Sequence, residues 1–223
     1  GNTTNAVFPA NTGTVVHQGQ WDVIYGRFNY APGDPTSDAE RLWMNYFGGT
    51  GDDKPIQMEF TSSGLLYMAG WTDSNDLPIW PFSDPSDGTF YQGSIKGEED
   101  GFIFVSDTNG TWPPIRSTYY GGEGKDMITA LIEDQDGNMY FGGATTTTTG
   151  TYGTNCTSPS TGLPLCDPGG GAYQQTSNAG GTDAFFVKLD PDFFMHWATL
   201  YGGPGANLIY DAAYRPDPIG LLD

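Results

Sequence analysis

The chain has 223 residues, with 33 Gly, 16 Pro, 6 Trp, 13 Tyr and 13 Phe, and its 27 acids against 8 Lys and Arg give a formal charge of −19. So acidic a surface repels a phosphate backbone, which argues against a nucleic-acid partner. No apolar run approaches the roughly 18 residues of a membrane helix, so no membrane insertion by a helix is expected.

The opening GNTTNAVFPA has neither the basic nor the apolar region of a secretory signal and reads as a mature or internal end. VFPANTG (7–13), which overlaps its end, reads as a loop between second and third strands, ahead of QWDVIYGRF (20–28). No stretch shows a long, capped helical period; DAERLW (38–43) is the best helical candidate and is very short. Frequent turn residues among many Thr, Tyr, Phe and Trp point instead to an all-β chain.

At residues 45–53 the chain reads NYFGGTGDD, and the phrase returns as TYYGGEGKD (118–126) and TLYGGPGAN (199–207). Its first glycines, Gly48, Gly121 and Gly202, set periods of 73 and 81 residues. Other blocks recur in step. SSGLLYMAGWTDS (62–74) matches QDGNMYFGGATTT (135–147), and DPIGLLD (217–223) begins a third copy. QWDVIYGRF, EEDGFIFVSD (98–107) and GTDAFFVKLD (181–190) align Asp22, Asp100 and Asp183 ahead of apolar runs, and GTFYQG (88–93) echoes GAYQQT (171–176).

Fixed-period similarity of this kind marks a repeat architecture. The first full unit predicts four strands near 54–61, 65–72, 101–107 and 114–120, with tight turns at Ser63-Gly64 and Asp136-Gly137-Asn138. Four-stranded units repeating about an axis predict a β-propeller, here about three blades of about 73–83 residues. The divisions are 1–47 (third and fourth strands of one blade), 48–120 (a full blade), 121–201 (a full blade with a cysteine-bearing insertion) and 202–223 (the start of another). In that frame the glycine phrase is a blade-to-blade joint, its aromatics packing between sheets and its Asp accepting turn amides. Three blades do not close a ring, which usually takes 4–8; a segment of a much longer polypeptide is expected, with chains that pool blades as the alternative.

The run of YYGGEGKD, IEDQDGNMYFGGATT, GGTDAFFVKLD and HWATLYGG resembles the SBBP-type β-propeller repeat of very large secreted bacterial proteins, frequent in Bacteroidota. The resemblance covers about 16–223. It implies an extracellular setting beside surface-adhesion modules and a type IX secretion signal, and it brings no general catalytic residues. The long loops between second and third strands, and the lack of a sorting domain, depart from the pattern.

Cys156 and Cys166 lie in one Pro/Ser/Thr/Gly loop with no His or further Cys to complete a zinc site. A disulfide is predicted, and with it an oxidising compartment.

Chemistry-bearing residues are few. GGTGDD and GGEGKD are followed by no Lys-Ser/Thr and start a strand, which excludes a nucleotide loop. Asp134, Asp136 and Asn138 are spaced like half of a calcium loop, but the equivalent FTSSGL has no acids and the twelfth-position Glu is missing, so a hairpin turn is the plainer reading. No cofactor is expected, calcium being the one ion left open.

Glu98 and Glu99 offer paired carboxylates for glycoside hydrolysis, with solvent-facing side chains as the plainer reading; Asp100 recurs in every unit and reads as structural. His17 and His196 have no Ser or Cys elbow nearby and read as loop or packing residues. Trp71, Trp80 and Trp112 would stack on sugars if their loops share a rim, and otherwise pack. Asn109 and Asn155 stand in glycan-acceptor sequences and suit turns.

A non-enzymatic structural or adhesin-like segment of a large extracellular protein is therefore expected, its partners being neighbouring subunits or other domains of that protein. The alternatives are a carbohydrate-binding module contacting surface glycans and a secreted glycoside hydrolase.

Overall fold

The computed structural model describes residues 18–29, 40–81 and 86–214. The chain is all-β, built of several antiparallel sheets. Strands β1 (Val23–Asn29) and β2 (Glu40–Phe47) form a two-stranded sheet. Strands β3 (Asp53–Phe60), β4 (Leu66–Thr72), β5 (Asp100–Ser106) and β6 (Arg116–Tyr120) form a four-stranded meander in chain order. A second four-stranded sheet orders β7 (Asp126–Glu133), β8 (Met139–Thr145), β11 (Asp183–Leu189) and β12 (Met195–Tyr201) in the same way. Between β8 and β11, the short strands β9 (Gly150–Tyr152) and β10 (Leu163–Leu165) pair in parallel inside the cysteine-bearing connection.

Residues 40–43 of the helical candidate DAERLW belong to β2, paired with β1 from Asn29↔Glu40 onward; Asp38 and Ala39 lie outside the described residues. The short-range helical pattern yields because Trp43, Asn45 and Phe47 place one face of the strand on the first sheet, where Phe47 is fully buried. VFPANTG, DPIGLLD and His17 also lie outside the described residues.

The sheets stack face to face. Leu66, Met68, Phe102 and Phe104 of the first four-stranded sheet pack on Val23, Tyr25 and Phe47 of β1 and β2. Their sequence neighbours Tyr67, Ala69, Ile103 and Val105 face the other way, against Ile128, Leu131, Phe141, Phe185 and Val187. Alternation of period two thus serves two cores at once, and β5 is buried along its whole length. Each fully buried Phe contributes on the order of 1.5–3 kcal/mol through removed apolar area.

The hairpin ends are made by local capping. Gly64 and Gly137 both hold φ +82 in the β3–β4 and β7–β8 turns, a conformation that costs glycine nothing. Asp134 accepts the backbone N–H of Asp136 and of Asn138, both at 2.9 Å, and in the equivalent turn the Thr61 hydroxyl accepts Leu65 N–H at 2.9 Å. Asp107 and Asp190 cap the β5–β6 and β11–β12 turns in the same manner.

Outer edges are closed by the long connections. Trp80 forms an antiparallel bridge with Ser117 of β6, and Cys166 forms the corresponding bridge with Ala198 of β12. Tyr119 N–H donates to Gln92 O at 3.1 Å, and Leu200 N–H to Gln175 O, also at 3.1 Å. The insertion in the second unit keeps both pairings, so lengthening that loop leaves the edge protected.

Candidate functional site

The recurring feature is the joint that follows the last strand of each sheet, and at its first two copies it carries the chain to the first strand of the next. Asp53 N–H donates to Trp21 O at 2.6 Å, Asp126 N–H to Glu99 O at 2.8 Å and Asn207 N–H to Thr182 O at 2.9 Å. These three positions are the Asp, Asp and Asn that end the glycine phrase, and each acceptor immediately precedes an aligned Asp. The three copies of the phrase therefore make one and the same contact.

Two carboxyl positions meet at each of the first two joints. The Asp53 carboxylate accepts Gly49 N–H at 2.7 Å and the Ser74 hydroxyl at 3.0 Å, with Thr72 Oγ1 donating to it as well. Asp126 accepts Gly122 N–H at 2.8 Å and the Thr147 hydroxyl. On the other side, Asp100 accepts Lys96 N–H (3.0 Å), Gly97 N–H (3.1 Å) and Gln92 Nε2 (2.8 Å). Asp22 accepts Gln18 and Gly19 N–H in the same way.

Gly48 stands between two of these carboxyls, and Gly121 and Gly202 each stand against one. A Cβ on Gly48 would lie 2.7 Å from Asp53 Oδ2 and 2.8 Å from Asp22 Oδ1, and one on Gly121 or Gly202 would strike Asp100 or Asp183. Here glycine is required by close approach.

Gln92 completes the network. Its Nε2 donates to Asp100 while its Oε1 accepts Gly121 N–H at 3.2 Å; Gln175 does the same for Asp183 (3.0 Å) and Gly202 (3.1 Å). Sequence reasoning saw the GTFYQG and GAYQQT echo but gave these glutamines no role. The signal was there, since both glutamines sit eight residues before an aligned Asp.

Electrostatics follow from burial. Desolvation pushes the Asp100 carboxyl up to about 7, and the Asp126 charge adds to it against the Lys96 and Gly97 amides. Asp53 and Asp126 are raised by the same cause. Burial lowers Lys96, although Asp100, Glu123 and Asp126 favour its charge. The third joint has Asn207 where the others have a second acid, and Asp183 Oδ1 is the buried side-chain oxygen left without a partner among the described residues. The cause is local, because Gly180 N–H turns to Asn178 Oδ1 instead.

The cysteine-bearing connection is fixed to the second joint. Cys156 and Cys166 are disulfide-bonded. Leu163, Leu165 and Cys166 lie in the core, and Tyr120 Oη donates to Pro164 O at 2.7 Å. Lys96 Nζ reaches Ser158 Oγ at 3.2 Å, and Gly162 N–H donates to Glu123 at 2.8 Å. The cysteine-bearing loop is thus part of the packing between the two four-stranded sheets.

The other sequence candidates are dispersed. Trp71 lies at the joint end of β4, with Lys54 Nζ over its ring at 4.5 Å and the Trp21 ring 5.6 Å from the same nitrogen. Trp112 sits beyond the opposite end of that sheet, half-buried against the core it shares with Trp43, and Trp80 runs along the edge of β6. Trp71 and Trp112 therefore share no rim.

Glu98 and Glu99 both pair with Lys125, at 3.4 and 2.6 Å. Asn138 donates its side-chain amide to Asp134, so these two groups satisfy each other in the turn. No group of three or more His, Cys, Asp or Glu is placed to hold a metal among the described residues. His196 bonds Asp190 at 2.7 Å, Asn155 adopts φ +53 in a short turn, and Asn109 N–H donates to Asp107.

Asp53, Asp100, Asp126 and Asp183 are buried, and the hydrogen bonds they accept organise the backbone of the joints. No family model matches the chain, and no curated protein matches it.

Proposed function

We propose that the chain is a non-enzymatic structural segment of a β-propeller, working outside the cell as an interaction scaffold within a large surface or appendage protein. The observation that carries this reading is the backbone contact made three times over, at Asp53, Asp126 and Asn207, which at the first two copies leads the chain from the last strand of one sheet to the first strand of the next. A repeated joint of one geometry turns successive sheets by one repeated angle, which is how blades are set around an axis. Disulfide chemistry and the charge of −19 support an oxidising, extracellular setting. The alternative readings find weaker support, since Lys54 covers Trp71 and Lys125 engages Glu98 and Glu99.

The test is a glycan-array screen together with a panel of polysaccharide hydrolase assays on the folded chain. The scaffold reading expects neither a discrete glycan affinity nor turnover. An affinity lost in Trp71→Ala or Trp80→Ala overturns it in favour of a glycan-binding module, and turnover lost in Glu98→Gln or Glu99→Gln overturns it in favour of a hydrolase.

A further inference from the structure

Tyr67 and Tyr140 hold the same position in β4 and β8, but only one of them is satisfied. Tyr140 has two hydrogen-bonding partners, Asp134 and Lys188. In the first unit Thr61 and Val105 stand at those two positions. Tyr67 is 3% exposed, and its hydroxyl makes no hydrogen bond among the described residues. Tyr119 and Tyr120 differ, donating to Ser74 O at 2.9 Å and to Pro164 O at 2.7 Å. Since Asp183 Oδ1 is the fully buried side-chain oxygen left unpaired among the described residues, the Tyr67 hydroxyl must keep contact with open space.

A cleft of about 170 Å³ lies beside it, between the first complete sheet and the β11–β12 turn. Leu65, Val105, Ile115 and Phe193 line it together with Tyr67 and Arg116, and the exposed Asp192 joins them from the turn. Arg116 is half-buried there. Its Nη1 donates to Thr89 Oγ1 at 3.2 Å, and its guanidinium lies 4.6 Å from the centre of the Phe193 ring. In a chain of 27 acids it nevertheless forms no ion pair among the described residues, where the paired bases are Lys54, Lys125 and His196.

Phe193 is held at φ +71, a left-handed conformation that strains an aromatic residue. Its N–H donates to Asp190 O at 2.9 Å, and its carbonyl accepts Phe90 N–H at 2.8 Å. So fixed, its ring lies 6.2 Å from the Tyr67 ring and nearly parallel to it. Burial pushes Tyr67 up to about 12, so its hydroxyl keeps its proton and can donate it. Of the charges acting on that hydroxyl Arg116 is the strongest, ahead of Glu133 and Asp190. Both acids are engaged elsewhere. Glu133 accepts Ser62 N–H at 2.7 Å, and Asp190 accepts Asp192 and Phe194 N–H and bonds His196. Two donors, one of them charged, therefore face one apolar cleft.

We infer that this cleft is a binding site for a small organic monocarboxylate, its charged end between the Arg116 guanidinium and the Tyr67 hydroxyl and its short apolar stem against Leu65, Val105 and Phe193. A carboxylate supplies acceptors to both donors at once, and a guanidinium held in place by packing recognises it with little loss of freedom. The volume is below that of a drug-sized pocket, which limits the occupant to a short acid. Asp192 in the same lining opposes a second negative charge, which selects one carboxylate over two.

The test titrates the folded, isotope-labelled 223-residue chain with sodium butyrate, and separately with butyramide as its neutral analogue, at constant ionic strength. The Arg116 Nε–H signal and the Tyr67 ring signals are followed by magnetic resonance. Butyrate is expected to shift both in a saturable way with a Kd on the order of millimolar, as suits so small a ligand, and butyramide to shift neither. Tyr67→Phe, which keeps the ring and its packing, should weaken butyrate about tenfold, and Arg116→Gln at least as much. Should Arg116→Gln fail to fold, Tyr67→Phe decides alone. Shifts that do not saturate, equal shifts with butyramide, or an affinity unchanged in Tyr67→Phe overturn the inference. The scaffold reading is untouched by any of these results, because its own test is read on glycans and polysaccharides.

Discussion

Gly121 lies directly against the carboxyl of Asp100: a Cβ at Gly121 would stand 2.5 Å from Asp100 Cγ and 2.7 Å from its Oδ1. The glycine phrase that is so visible in the sequence is thus a steric consequence of bringing a buried acid against the backbone of the joint.

Gly121→Ala is expected to destabilise the chain by about 2–4 kcal/mol, because neither the Asp100 network nor the backbone can yield without breaking bonds. Gly181→Ala, where a Cβ meets nothing within 4 Å, is expected to be neutral. Chemical denaturation of both variants checks this, and equal stability of the two would remove the steric account.

Gln92→Leu leaves Gly121 N–H without its side-chain acceptor and takes one donor from Asp100, all inside the core. A loss of about 1–3 kcal/mol is expected, the cost of leaving buried polar groups unpaired. A variant as stable as the parent would show that the glutamine bridge contributes nothing.

The Asp100 carboxyl, raised to about 7, ties stability to pH. In the unfolded chain this group titrates near 4, so between about pH 4 and 7 the folded state holds a proton that the unfolded state has lost. Its contribution is fully present below the unfolded value and is lost as pH rises through 7. Acidifying from pH 7 to 5.5 should therefore stabilise the chain by about 2 kcal/mol through this group. Thermal unfolding across that range in the parent and in Asp100→Asn checks the sign. An unchanged pH slope in the variant would assign the effect to other acids, Asp53 and Asp126 first.

Removing the disulfide with Cys156→Ser and Cys166→Ser is expected to cost about 2–3 kcal/mol from loop entropy alone. Part of the loss should appear between the sheets, since Leu163 and Leu165 leave the core with the loop. Calorimetry reads the total, and near-ultraviolet dichroism of Tyr120, whose hydroxyl bonds Pro164, reads the local part. An unaltered Tyr120 environment would show the loop to be held by packing without the bridge.

Much of this was legible in the chain. The four-strand order, the turns at Gly64 and Gly137 and the disulfide follow from glycine spacing, period-two alternation and two cysteines in one loop. DAERLW (38–43) carries too few residues to separate helix from strand by periodicity, and for 40–43 the deciding term is the non-local pairing of β2 with β1. Whether the tryptophans share a rim is not written in the sequence: Trp71 and Trp112 lie at opposite ends of one sheet. Lys96, Glu123 and the buried strand β10 escaped notice because their partners are 39 to 66 residues away in the chain.

The most direct test of the central claim is the relative orientation of the β3–β6 sheet and the sheet of β7, β8, β11 and β12, measured from residual dipolar couplings of the folded chain. Sheets set by a repeated joint around one axis of four to eight blades are related by a single rotation of about 45–90°. That result is the one expected. An angle of about 30°, the aligned packing of a sandwich, would contradict the propeller account and leave the joint as a local turn motif only.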